Sequence, residues 1–334
     1  MNSKPPKVEP VRQPTLFDLE KSSEPTGTRP FSLPRILLGT SSFTAAGWEA
    51  SFYPQGMRPK DFLRHYASWF QTVEIDSTFY GTPSASTVTG WNGKTPGDFI
   101  FAVKVPQIIT HDKVLVECEA EFDEFIERMQ LLGNKLGPML LQFPKFDKWM
   151  LKSSEEFRGR LQSFFKRASD LRAGRFVVEV RNKEWLDPRL TDLLRGYNVA
   201  LALTDTSFMP RPWEMKGTLD LVTADFSYVR WLGNRKATEE QTTTWDKTVI
   251  DRQNDLTSWV VVLKCLVDDK RIRKIFAFAN NHYAGHAPAT VKQFLELWNG
   301  RTPLPPFRPH ATGASLEDTE GSRTALGVSD ARRR

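Results

Sequence analysis

Carboxylates and cations recur in this sequence at the ends of apolar runs, where chemistry can be built beside a core without dissolving it. Glu74 and Asp76 are two apart in TVEIDSTFY, and Glu179 and Arg181 are two apart in RFVVEVR. Lys104 follows FIFAV, Gln142 follows PMLL, Asp205 closes VALALTD, and Arg230 falls late in FSYVRWLG. Asn280, Asn281 and His282 end the run that begins KIFAFA. On a strand, residues two apart share a face, so Glu74 with Asp76 and Glu179 with Arg181 each point one way. Buried charge costs several kcal/mol unless it is paired. Polar groups delivered by run after run therefore read as one convergent pocket, against the plainer alternative of internal ion pairs such as Glu179 with Arg181 or Lys104 with Glu74.

The elements that must position these groups are short β-rich runs alternating with helical patterns. The strands are expected at 35–40, 72–80, 98–106, 138–144, 175–181, 199–205, 226–233 and 274–281. Helices are expected at RPKDFLRHYASWF, with Pro59 at its first turn, at EFDEFIERMQLLG, stopped by Gly133, at DPRLTDLLRGY, and from Trp245 to Val267. Nearly continuous apolar strands suit a sheet covered on both faces. Eight β-then-α units predict an α/β fold, a single TIM-type (β/α)8 barrel whose chemistry sits at the C-terminal ends of its strands. The rival doubly wound sheet usually carries GxGxxG after its first strand, and GTSSFTAAG lacks that spacing.

The barrel is expected over 35–299, flanked by disordered tails at 1–34 and 300–334 whose proline-rich, polar composition buries too little to order them. The tails carry +1 and +2 of the formal +6, which leaves a mildly basic body that permits a polyanionic partner without demanding one. Cys118 and Cys265 show no metal-binding spacing, and no apolar run is long enough to span a bilayer. A reduced, cytoplasmic protein with no membrane association is expected.

GTSSF, VEIDSTFYGTPS, FIFAVKVPQIITHDK, LGPMLLQFP, VVEVRNKEW and above all NNHYAGHAPAT resemble the domain-of-unknown-function 72, or YecE-like, family over about residues 36–298. The resemblance implies a TIM-type barrel and leaves the activity open. It carries over Glu74, Ser77, Thr78, Phe79, Tyr80, Lys104, His111 and Gln142 from the first half, and Glu179, Arg181, Asp205 and Arg230 from the second, with Asn280 through Tyr283, Gly285, His286 and Pro288 in the last motif. Asp76 stands where the family often has Asn, and Trp231-Leu232-Gly233 where it often has Leu-His-Gly. The second departure weakens any mechanism needing a histidine on the seventh strand.

The catalytic set read from these positions is Glu74 and Glu179 as acid and base, Lys104 holding an anionic group, with Asp205 and His282. Asp76, Tyr80, His111, Gln142, Arg181, Arg230, Asn280 and Asn281 are expected to bind substrate. Five histidines are too few for a multi-zinc site, so no cofactor is expected, a single divalent ion on Glu179, Asp205 and His282 being the alternative. The leading tail tilts the functional reading. Gln13-Pro14-Thr15-Leu16-Phe17 resembles the short motif by which bacterial proteins dock on the DNA sliding clamp, two apolar anchors on a flexible leash. The expected function is therefore DNA-associated and linked to repair or replication, with a pocket that takes an extruded nucleotide, abasic sugar or phosphodiester, whether as a hydrolase or lyase or as a lesion-binding protein. The alternatives are an enzyme on a small sugar or sugar-phosphate and a non-catalytic interaction module.

Overall fold

The computed structural model describes residues 29–300 apart from Arg172 and Lys216. Gln13, Leu16 and Phe17 lie outside the described residues, as does the segment from 301 onward. Residues 29–34, placed by the sequence reading in the leading tail, belong to the fold: Phe31 is buried against Trp69 and Phe70.

A nine-stranded sheet organises the chain. A two-residue strand β1 (Ser32–Leu33) runs antiparallel to β2 (Ile36–Thr40). The remaining strands are β3 (Thr72–Ile75), β4 (Ile100–Lys104), β5 (Leu136–Gln142), β6 (Phe176–Glu179), β7 (Ala200–Thr206), β8 (Phe226–Gly233) and β9 (Lys274–Ala279). From β3 to β9 each strand pairs in parallel with the next, and β9 pairs in parallel with β2. Parallel neighbours need crossovers, which helices supply everywhere except between β7 and β8, where the described residues of 207–225 hold none. The helices are α1 (Pro59–Trp69), α2 (Ala85–Gly93), α3 (Glu119–Gln130), α4 (Ser154–Asp170), α5 (Pro188–Gly196), α6 (Arg235–Glu239), α7 (Gln253–Asp268), α8 (Asn281–Ala284) and α9 (Ala287–Trp298). Each of the eight expected strand runs overlaps one of β2 to β9, β5 starting two residues earlier and β7 ending one residue later than expected.

Strand parity divides the core in two. Leu37, Ala102, Leu140, Val177, Ala200, Ala202, Tyr228, Phe276 and Phe278 form one cluster on the concave face. The alternate residues, among them Leu38, Val73, Val103, Leu141, Val178, Leu203 and Val229, pack with the helices. Alanines on β4 and β7 leave room for the rings of β8 and β9, so the curled sheet fills its own interior.

Between the end strands β2 and β3 no ladder bond forms among the described residues. Short β1 occupies that edge of β2, and Phe31 bridges onward to Phe70, just before β3. At the other end of the edge the α1 residue Tyr66 fills in: its hydroxyl accepts from the Thr40 amide at 2.9 Å and donates to the Thr72 carbonyl at 3.1 Å. Gly39 is required here, because a Cβ would stand 2.4 Å from the Thr72 carbonyl oxygen.

The helices differ from expectation in the start of α7 and in number, α2, α4, α6, α8 and α9 lying outside the four expected stretches. The segment 245–252 is not helical, because its backbone ties loops together: Trp245 N–H donates to Ala46, and the amides of Val249 and Ile250 donate to Ala284. Helix α7 accordingly starts at Gln253. The seventeen-residue α4 was not anticipated, although Ser153 caps Glu156 N–H and Phe157, Leu161, Phe164, Phe165 and Ala168 are its buried stripe. Among the described residues no helix is long and apolar enough to cross a membrane.

Candidate functional site

The inward parity of β3, β4, β6 and β8 carries Glu74, Lys104, Glu179, Tyr228 and Arg230 toward one another at the C-terminal ends of the strands. Arg230 is the hub. Its Nε and Nη2 donate to the Glu74 carboxylate at 2.9 and 2.8 Å, and its Nη1 donates to Glu179 at 2.6 Å. Tyr228 adds a hydroxyl to Glu74 at 2.6 Å, and Arg181 grips the other Glu179 oxygen through Nε and Nη2 at 3.0 and 2.8 Å. Glu74, Tyr228, Glu179 and Arg230 are all at most 2% exposed. Bidentate pairing of this kind is what makes a buried guanidinium tolerable.

Asp76, one residue past β3, reaches Arg230 Nη2 only at 3.4 Å and keeps a third of its side chain open. Lys104, half-buried at the end of β4, makes no ion pair among the described residues; its Nζ lies 3.9 Å from the centroid of the Phe79 ring. Three carboxylates thus stand with three cations, but the arginines take up the charge of Glu74 and Glu179 and leave Asp76 and Lys104 loosely engaged.

Electrostatics separates the members. Burial alone would raise the Glu179 carboxyl, but Arg230 and Arg181 more than offset it and hold it at about 2. Desolvation, and then the Glu74 charge, pushes Asp76 up to about 6 against the pull of Arg230 and Lys104. Burial lowers the Lys104 ammonium, with Arg230 acting the same way and Asp76, Glu179 and Glu74 opposing. Beside them His111 sits in a π turn (Ile108–Asp112), its ring 4.9 Å from Phe79 and its Nδ1 2.8 Å from Thr110 Oγ1. Burial and then the Lys104 charge bring it down to about 4, so it is neutral at physiological pH.

Gln142 is buried in register with Glu179 and donates to the Phe143 carbonyl at 2.5 Å. Tyr80 is 80% exposed, edge-on to Phe79. Phe208, just beyond β7, lies 5.3 Å from the Arg181 guanidinium. Phe208 and Tyr228 were missing from the expected residues, and Phe79 was carried over by the resemblance without a role; Tyr228 was legible, lying two before Arg230 on the same parity.

Four expected site residues make no bond to the Arg230 cluster among the described residues. Asp205 follows Leu201 and Leu203 on the helix-facing parity, while Thr204 takes the concave one. Its carboxylate accepts from Trp259 Nε1 at 2.9 Å, Tyr283 hydroxyl at 2.8 Å and Arg211 Nε at 2.9 Å. Asn280 Oδ1 caps α8 through the His282 amide, and Asn281 Oδ1 accepts from Trp48 Nε1 and the Ala287 amide. His282 Nε2 stands 3.1 Å from Glu239, with its ring on Trp245. NNHYAGH is thus a folding motif, closed by Gly285 at φ +107°, where a Cβ would meet the Lys247 carbonyl oxygen at 2.6 Å. Glu179, Asp205 and His282, the set considered for a single ion, are not brought together; among the described residues no three His, Cys, Asp or Glu side chains are grouped to hold a metal. A cavity of about 70 Å³, lined by Phe165, Gly174, Phe176, Tyr197 and Val199, lies where β6 and β7 begin, away from the charged cluster.

Consecutive parallel strands, outer helices and a charged cluster at the strand C-termini define an α/β protein of the TIM-barrel type. The profile of the family described as protein of unknown function DUF72 matches residues 37–312, and the chain belongs to that family. It is 31% identical over 137 residues to the UPF0759 protein YecE of Escherichia coli K12, covering 41% of this chain and half the length of that relative. With YunF of Bacillus subtilis, identity is 26% over 269 residues, 75% of this chain and 92% of that one. Crystal structures of DUF72 family proteins from Thermotoga maritima and Enterococcus faecalis share the fold, with TM-scores of 0.62 and 0.59. Their sequence identities are 24% and 21%, they cover 79% and 82% of this chain, and each is 99% covered in turn.

Proposed function

We propose that the protein is an acid–base enzyme acting on a small, hydroxyl-rich substrate at the C-terminal ends of its strands, and that the curled sheet works as a closed (β/α)8 barrel with this site at its mouth. The supporting observation is the unequal engagement of the charges. Glu74, Arg230 and Glu179 form a fixed floor, while Asp76 and Lys104, partly open to solvent, are free to meet a substrate. Proton exchange accordingly moves from Glu74 and Glu179 to Asp76, whose carboxyl titrates near the operating range of a general acid or base. The near-balanced charge suits a neutral or singly anionic ligand better than a polyanion. The test is deuterium incorporation from solvent into a panel of aldoses, ketoses and their monophosphates, followed by NMR. Exchange that Asp76→Asn removes supports the reading; no exchange on any member overturns it.

A DNA-linked role rests on a separate feature, the Gln13, Leu16 and Phe17 motif. Under that reading a peptide of residues 11–21 binds a purified sliding clamp with roughly micromolar affinity, and Leu16→Ala with Phe17→Ala removes it. A parent peptide that does not bind ends the reading.

A further inference from the structure

We propose that Lys104 is a nucleophile that forms a Schiff base with the carbonyl carbon of an aldehyde or ketone, so that the substrate class is an open-chain hydroxyaldehyde or ketose. The inference rests on the acid–base reading of the same site. A lysine kept to hold an anion is best maintained by a carboxylate at its side. Here Arg230 and Arg181 hold the carboxylates of Glu74 and Glu179, and the Lys104 Nζ lies over the Phe79 ring with no ion pair among the described residues. Amines are activated as nucleophiles by desolvation, and Lys104 is half-buried, its burial favouring the free amine against the opposing charge of Asp76. Two groups suited to the accompanying proton transfers flank it. Asp76 stands one residue past the adjacent strand, and the neutral His111 ring rests on the same Phe79 ring as the lysine.

The step balances without an external oxidant or reductant. The neutral Nζ lone pair attacks the carbonyl carbon; the C–N bond forms, the C=O π bond breaks, and a proton moves from nitrogen to oxygen to give the carbinolamine. The Asp76 carboxylic acid then protonates the carbinolamine hydroxyl, which leaves as water, and the nitrogen lone pair closes the iminium. Asp76 is left as a carboxylate beside that cation, placed to take the proton from the adjacent carbon. Water returning to the iminium carbon reverses the sequence and frees the lysine.

The full-length protein is incubated near pH 7.5 with glyceraldehyde or dihydroxyacetone and cyanoborohydride, which reduces iminium ions to secondary amines, and the modified lysines are mapped by mass spectrometry against time. Lys104 is expected to be labelled first, at least about tenfold faster than the exposed Lys94 and Lys236, because its burial favours the free amine. Asp76→Asn should slow labelling of Lys104 and leave Lys94 and Lys236 unchanged, a contrast that a merely structural role for Asp76 would not produce. Labelling of Lys104 no faster than the exposed lysines overturns the proposal. If solvent exchange depends on Asp76 but Lys104 is not trapped, the acid–base reading stands and the Schiff base falls. If Lys104 is trapped while no substrate exchanges protons, the Schiff base stands and the acid–base reading falls.

Discussion

Two buried carboxylate knots sit within this fold, one on each side of the sheet. On the helix side Asp205 is satisfied by Trp259, Tyr283 and Arg211. On the concave side Glu74 and Glu179 are satisfied by Arg230, Tyr228 and Arg181. By burial and hydrogen bonding the two are alike. They differ in what stands beside them: the concave knot adjoins Asp76 and Lys104, and Lys104 has no ion pair among the described residues, whereas the Asp205 knot adjoins Asp255, which Arg252 at 3.2 Å and Arg211 at 3.6 Å both engage. A buried charge identifies a site only when something reactive is left over.

The largest effect should come from the hub of the concave knot. Arg230→Met strands two buried carboxylates and should cost about 3–5 kcal/mol of stability, read by urea unfolding at pH 7. A loss below about 1 kcal/mol would mean that Glu74 and Glu179 are far better hydrated than their burial states. Next comes the helix-side knot, where Asp205→Asn weakens charged hydrogen bonds and should cost about 1–3 kcal/mol. It should leave Lys104 labelling unchanged, and a change there would couple the two knots and dissolve the contrast between them. Tyr66→Phe removes the hydroxyl that serves both end strands and should cost about 1–2 kcal/mol. Amide hydrogen exchange at Thr40 should quicken in step, which distinguishes loss of the bridge from general loosening.

The smallest effect is a matter of pH. Asp76 is raised from 3.8 to about 6 in the folded chain, so its contribution is fully present below about pH 4 and is lost as pH rises through 6. Asp76→Asn should therefore match the parent at pH 3.5 and be slightly more stable at pH 8. Because a third of the side chain is exposed, the gain should stay under about 1 kcal/mol. Glu179 runs the opposite way: held at about 2 against an ordinary 4.5, it stabilises above pH 4.5 and loses that contribution as pH falls toward 2.

Legibility followed the range of the interactions. The eight strands were readable because each is an apolar run that must be covered on both sides, and the inward parity of Glu74, Lys104, Glu179 and Arg230 came with them. The same rule applied to VALALTD puts Ala200, Ala202 and Thr204 inside and Asp205 outside, so that error was avoidable. Its partners were not readable, since Trp259 and Tyr283 lie 54 and 78 positions away. The bond from Arg230 to Glu74, 156 positions apart, likewise has no local signature. Asn280 and Asn281 misled because an amide that caps a helix and one that binds a ligand are the same residue in sequence.

The edge arrangement of β2 has a consequence for how the chain is made. On one side β2 is served by β1 and Tyr66, all within a few dozen residues, so that edge is complete soon after it leaves the ribosome. Its other side pairs Ile36 with Ile275. At ordinary synthesis rates the ribosome needs on the order of ten to fifty seconds to deliver that partner. Through that interval the nascent chain carries an apolar strand with one finished edge and one open edge, and the open edge is what a chaperone, or an aggregating neighbour, meets first.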